Sequence, residues 1–287
     1  MKKSRIGFVA GLVALAIFAG SCDALFTNQF KVLGLGQVTS EVLSDAVVNG
    51  DVSTIIQQSG FGTGTISPSF IEAVTASADT TQQVLDLLQE TIDDPETPPE
   101  QAEAAQVLAI EIQLEASGAK AFIDNIVNAI ASIDLQNFDI SNPASLNTLL
   151  NALFPPKSVK TLPEGWTRDE IAIIIDTLIA LDDDIAQLVG RMVGQAFLNQ
   201  GVDAGWLAQV GTLVTVLKQL TPSAFYPTTG YAIAALIDEF DPDTTDPYMY
   251  INIPDSLMDD LANDPELQAL FAAAGMDLQA IIQSFGG

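Results

Sequence analysis

EQAEAAQVLAIEIQLEASGAKAFIDNIVNAI, residues 100 to 130, is the stretch on which the fold turns. Pro98 and Pro99 stand just before it. As far as residue 116 it is rich in Ala, Ile and Leu, and Ser117-Gly118 closes that first helix, since glycine readily takes the left-handed conformation that ends helices. Beyond the turn, Ile123, Ile126, Val127 and Ile130 fall on one stripe at helical spacing. Two helices joined by a turn containing glycine make an antiparallel hairpin. Few runs in the chain alternate with period two. The expected fold is therefore mainly α, with antiparallel helical hairpins packed as a bundle or a short α-solenoid.

Moving towards the N-terminus, the signals repeat. Val84, Leu85, Leu88 and Ile92 have helical spacing, and Ser67-Pro68 gives an N-cap and a first-turn proline to a helix carrying Phe70, Ile71 and Val74. Val38, Val42 and Val47 are expected to share a face, with Asn49-Gly50-Asp51 stopping that helix and capping the next. The glycine-rich loop Gly60-Phe61-Gly62-Thr63-Gly64 has neither the preceding strand nor the following Gly-Lys-Ser/Thr of a phosphate cradle, and reads as a connection. Moving towards the C-terminus, a short helix follows Asn142-Pro143, and residues 155–166 form a linker. Thr167 then caps the most apolar helix, Ile171 to Leu181, whose one acid is Asp176. Asp182-Asp183-Asp184 reads as an exposed turn before helices carrying Ile185, Leu188, Val189 and Met192, and then Trp206, Val210, Leu213, Val214 and Leu217. Short helices over 255–263, 265–274 and 277–284 complete the chain, with Gly275 as a C-cap.

Residues 104–133 resemble a single tetratricopeptide unit, with an Ala-rich first helix, Gly118 at the turn and an apolar second helix. The Trp, Leu-Gly and Tyr landmarks of that repeat are missing, so the resemblance implies a helical hairpin and leaves an extended repeat open. A second resemblance lies at the start of the chain. Lys2, Lys3 and Arg5 precede an uncharged apolar run from Ile6 to Phe18, followed by Ala19-Gly20-Ser21-Cys22. A basic head, an apolar run and small residues are the parts of a secretory signal. The run is shorter than the roughly 20 residues a spanning helix needs. The small residues ending on the chain's one cysteine resemble the lipobox of bacterial lipoproteins, although Ala19 stands where an aliphatic residue is usual. The resemblance implies that residues 1–21 are removed and that Cys22 is lipidated and becomes the first mature residue. Residues 22–34 are then a short tether, 35–154 the N-terminal hairpins, and 167–287 the C-terminal helical part.

Composition narrows the chemistry. The formal charge is −27, from 37 Asp plus Glu against 10 Lys plus Arg. Such a balance disfavours nucleic acid and anionic headgroups as partners and keeps a tethered domain in solution. The chain has no histidine and its one cysteine is Cys22. Disulfides, thiolate nucleophiles and Cys/His zinc sites are thereby excluded for the mature chain, and any chemistry must use carboxylates, Lys, Tyr or Ser. Ser117-Gly118-Ala119-Lys120 matches the Ser-x-x-Lys of penicillin-recognising enzymes, and Ser145-Leu146-Asn147 and Lys160-Thr161 echo its companions. They stand too close together, and no strand-rich region holds them, so a helix turn is the plainer reading. Asp238, Glu239, Asp241, Asp243 and Asp246 crowd one loop, without the glycine or twelfth-position glutamate of an EF-hand. Neither a metal nor a cofactor is expected.

Residues 221–254 differ from the rest. Prolines 222, 227, 242, 247 and 254 confine them to loops or short helices. All four tyrosines, Tyr226, Tyr231, Tyr248 and Tyr250, lie there with Phe225 beside them. Rigid amphipathic rings on a fixed scaffold suit a ligand- or partner-binding surface. Together these readings lead to an expectation: a membrane-anchored, non-catalytic binding or scaffold lipoprotein in the cell envelope, on the periplasmic or extracellular side. It would touch the membrane through Cys22 and a protein or small molecule through the five aromatics. A helical accessory subunit of a solute-uptake system is the alternative of the same class. A carboxylate-based hydrolase is the alternative of another.

Overall fold

The computed structural model describes residues 40–61, 66–132, 166–192, 204–239, 249–254 and 256–285. The fold is mainly α, with one two-stranded ribbon among the described residues. The N-terminal side holds α1 (Ser40–Val48), α2 (Val52–Ser59), α3 (Pro68–Thr75), α4 (Ala78–Asp93), α5 (Pro99–Ser117) and α6 (Ala119–Ser132). Then come α7 (Arg168–Ala180), α8 (Asp182–Met192), α9 (Ala204–Gln219), β1 (Thr221–Pro222), α10 (Thr229–Asp238) and β2 (Ile251–Asn252). The chain closes with α11 (Leu257–Asn263), α12 (Pro265–Ala273) and α13 (Leu278–Phe285).

Helix α5 is the axis of the molecule. Every residue from Ala102 to Ile110 is buried, which only a helix covered all round can be. Residues two apart lie about 200° apart around a helix, at 100° per residue. Ala105, Leu108 and Ile112 thus face one core, with Leu43, Ile55, Phe70, Val84 and Leu88. Val107, Ile110 and Leu114 face the other, with Ile171, Ile174, Leu178, Leu207, Val214 and Phe271. Residues from both sides of segment 155–166 share this second core. Buried Gln106 is satisfied: its amide reaches Gln187 at 3.5 Å and its carbonyl accepts from Arg191 at 3.2 Å. Arg191 also donates to the Ile92 carbonyl at 2.8 Å, fastening α8 across the end of α4.

Local signals place the helix ends. Asp51 accepts from the Thr54 amide at 3.0 Å, and Thr167 and Glu170 form a reciprocal capping box on α7. Gly118, at φ +78°, lets α5 and α6 meet with no linker, and Gly275 ends α12 with Met276 N–H donating to the Phe271 carbonyl at 2.8 Å. Three expectations need correction. Val42 is 41 % exposed; α1 instead buries Leu43 and Ala46 against α2, α3 and α4, with Val47 at the edge of that core. Asp182, Asp183 and Asp184 are the first turn of α8 and not an exposed turn, since carboxylates suit the positive end of a helix. Ser67 stands at the N-cap of α3 with Pro68 after it, but its side chain makes no capping bond; its hydroxyl bonds to Ser69.

Side chains beyond Asn125 in α6, including Ile126, Val127 and Ile130, lie outside the described residues. So do the tether with Cys22, the glycines of 62–65, the helix after Pro143 and the linker up to residue 165. No described helix is long and apolar enough to cross a membrane.

Candidate functional site

The site is built on α7. Its first turn carries Arg168 and Asp169, held by the Thr167 box, and Asp176 sits two turns further on. Asp176 interrupts an otherwise apolar run and is part-buried, so its carboxylate needs partners. It finds them at the start of α10: the Thr228 hydroxyl donates at 2.7 Å and the Gly230 amide at 2.9 Å. Close approach is allowed there because residue 230 has no side chain. A Cβ on Gly230 would lie 2.4 Å from the Ala172 carbonyl oxygen. α10 is thereby docked along α7 in a fixed register.

The chain segments flanking α10 pair as the β1–β2 ribbon, with Thr221 opposite Asn252 and Pro222 opposite Ile251. The Ser223 amide donates to the Tyr250 carbonyl at 2.8 Å, carrying the same register one step further. The chain leaves the ribbon there: Ala224 and Phe225 lie in a turn closed by the Tyr226 amide on the Ser223 carbonyl at 3.1 Å, and Met249 directly precedes Tyr250, so Phe225 and Met249 both lie just past the Ser223–Tyr250 pair. Beneath them the rings of Tyr226 and Tyr250 stack, with centroids 5.6 Å apart and planes 18° from parallel. Ala232, Leu236 and Ile251 form the buried floor below the ribbon.

Two of the tyrosine hydroxyls each reach a carboxylate. Tyr250 donates to Glu239 at 2.7 Å and Tyr231 to Asp169 at 2.6 Å. The bond to Glu239 favours the protonated phenol and pushes Tyr250 up to about 12. The same bond, followed by Arg168, holds the Glu239 carboxyl below its ordinary range. The Asp169 carboxylate likewise raises Tyr231. Arg168 spans the end of α10, donating to Glu239 at 2.9 Å and to Asp238. Contacts thus run from Tyr226 through Tyr250 and Glu239 to Arg168, and the next residue along α7, Asp169, holds Tyr231. The large apolar groups the corner offers outward are Phe225, 87 % exposed, Met249, 65 %, and the Tyr231 ring, 37 %.

No family model, curated protein or solved structure matches the chain.

Four of the five predicted aromatics are therefore in one corner; Tyr248 lies outside the described residues, as does Cys22. The acidic loop is described only at Asp238 and Glu239, and both are bound to Arg168. Among the described residues no group of three or more carboxylates is placed to hold a metal ion. Sequence reasoning missed Arg168, Asp169, Asp176 and Gly230. Asp176 inside IAIIIDTLIAL was the available signal, because an acid in an apolar helix has to be met from another element.

The Ser-x-x-Lys residues take ordinary helical roles. The Ser117 hydroxyl donates to the Gln113 carbonyl at 2.8 Å, closing α5, and Lys120 pairs with Glu111 at 3.0 Å across the hairpin. Burial raises Glu111, with Lys120 opposing it, and burial also raises Asp124 nearby.

Proposed function

We propose that this chain is a non-catalytic binding or scaffold lipoprotein, anchored through Cys22 on the exported side of a bacterial membrane, and that the aromatic corner is its contact surface. The observation that carries the reading is the pair Phe225 and Met249, the large apolar side chains at the end of the ribbon, held in water at 87 % and 65 % exposure. The Tyr226–Tyr250 stack and, through Glu239, the Arg168 clasp tie down the backbone that carries them. An aromatic side chain has only two torsions to fix, so it loses little conformational entropy on binding. The anchor itself rests on the basic head, apolar run and small residues ahead of Cys22.

The test is a photo-crosslinking amino acid at position 225 in the full chain, expressed in a bacterium that processes lipoproteins. A discrete adduct is expected there, with none from the same probe at exposed Glu72 on α3. Equal labelling from both positions, or none from either, would rule the corner out.

A further inference from the structure

The charge around the corner points to the kind of partner it takes. Four of the chain's cations are described, and each is committed within the fold. Lys120 holds Glu111, Arg168 holds Asp238 and Glu239, Arg191 holds Gln106 and the Ile92 carbonyl, and Lys218 holds Asp182. No described Lys or Arg is left over to receive an anionic ligand. At the corner itself three carboxylates, Asp169, Asp238 and Glu239, face one guanidinium, Arg168. The C-terminal end of α10, which carries Asp238, adds the partial negative charge of a helix terminus. The whole chain, at a formal −27, carries the same sign. Near these acids stand exposed rings, Phe225 at 87 % and, in part, Tyr231 at 37 %.

An apolar tip with a negative rim is complementary to a segment that alternates cations with apolar side chains. Guanidinium and ammonium groups bind both carboxylates and aromatic faces. We propose that the corner docks a Lys/Arg-bearing segment of a partner protein, whose apolar residues sit on Phe225 and Met249 and whose cations meet Tyr231, Asp169, Asp238 and Glu239. The inference rests on the corner being the contact surface. Long-range attraction between the acidic chain and a basic segment speeds their encounter, and salt screens it. The aromatic contacts then set how long the segment stays.

The experiment is selection of a random-peptide display library on the immobilised full chain, with a parallel selection on the F225A/M249A variant. Peptides retained by the wild type and lost on the variant should be enriched in Lys and Arg interspersed with apolar residues. Individual peptides should lose about tenfold or more in affinity on the variant, and Asp169→Asn should reduce the Lys/Arg enrichment while keeping the apolar one. Circular dichroism of both variants must match the wild type. Corner-dependent peptides that are uncharged or acidic would overturn the basic-partner inference and leave the contact surface standing. Basic peptides retained equally by the variant would show bulk charge attraction and overturn the inference. If no peptide depends on Phe225 and Met249, both the inference and the contact surface fail.

Discussion

The Asp176 carboxylate accepts the Gly230 amide at 2.9 Å, at a point where a Cβ on residue 230 would lie 2.4 Å from the Ala172 backbone oxygen. One contact therefore joins two requirements, a part-buried acid that must be satisfied and a residue that must lack a side chain. The neighbour is backbone and cannot swing aside, so Gly230→Ala should force α10 away from α7. The cost expected is about 1–3 kcal/mol, as for overpacking in a tight core. Gly190→Ala on α8 is the control, because nothing lies within 4 Å of its Cβ position; it should be neutral or stabilising by up to about 1 kcal/mol. Thermal unfolding of both variants checks this, with near-UV dichroism reporting the tyrosine stack. Equal melting temperatures would refute the close-approach account.

A second prediction follows from α5 lying in both cores. Leu108 is fully buried among Leu43, Phe70 and Leu88, whereas both tryptophans, Trp166 and Trp206, pack in the other core. Leu108→Ala should cost about 2–5 kcal/mol. Because α5 is shared, the tryptophan fluorescence transition should move to lower denaturant together with the helical signal. A tryptophan transition that stays in place while helix content falls earlier would mean that the two cores unfold separately.

The third concerns pH. Burial raises the Asp184 carboxyl above its ordinary 3.8, the Gln113 hydrogen bond opposes this, and the like charge of Asp183 adds to it. A raised folded-state value means that the folded chain still holds a proton which the unfolded chain has released. That contribution is fully present below pH 3.8 and is lost as pH rises through the higher folded value. Asparagine does not ionise and keeps an acceptor for Gln113. Asp184→Asn should therefore lose less melting temperature than the wild type between about pH 4 and 7. Glu111, Asp124 and Glu266 are raised in the same direction, so the slope should shrink without vanishing. Parallel curves for variant and wild type would show that Asp184 carries none of it.

The fourth tests the anchor. Metabolic labelling with a fatty-acid analogue should tag the full chain, and Cys22→Ser should abolish both the label and retention in the membrane fraction. Incorporation of label into the serine variant would place the modification elsewhere and defeat the lipoprotein reading.

Much of the fold is legible before any coordinates, and for local reasons. Gly118 after Ser117, Thr167 three residues before Glu170, and Pro68 and Pro99 at first helical turns act through the backbone within a turn of themselves. Spacing finds Val84, Leu88 and Ile92 because a helix packed on one side shows one apolar stripe. Helix α5 shows that rule at its limit: a helix apolar all round names no single neighbour, so its place between two cores is not readable from its residues alone.

The sequence by itself determined the helical class, most helix ends and the gathering of aromatics after residue 220, since each depends on residue type and close spacing along the chain. Only the tertiary structure decided which of those aromatics act together. Tyr226 and Tyr250, 24 positions apart, stack where the ribbon sets Ser223 beside Tyr250 and the Tyr226 amide closes a turn onto the Ser223 carbonyl. Asp176 meets Gly230, and Arg168 meets Glu239, across 54 and 71 positions. Contacts so distant leave no period in a sequence. They are fixed by the docking of α10 on α7, where a part-buried carboxylate, a missing side chain and a pair of helix ends fit in a single register.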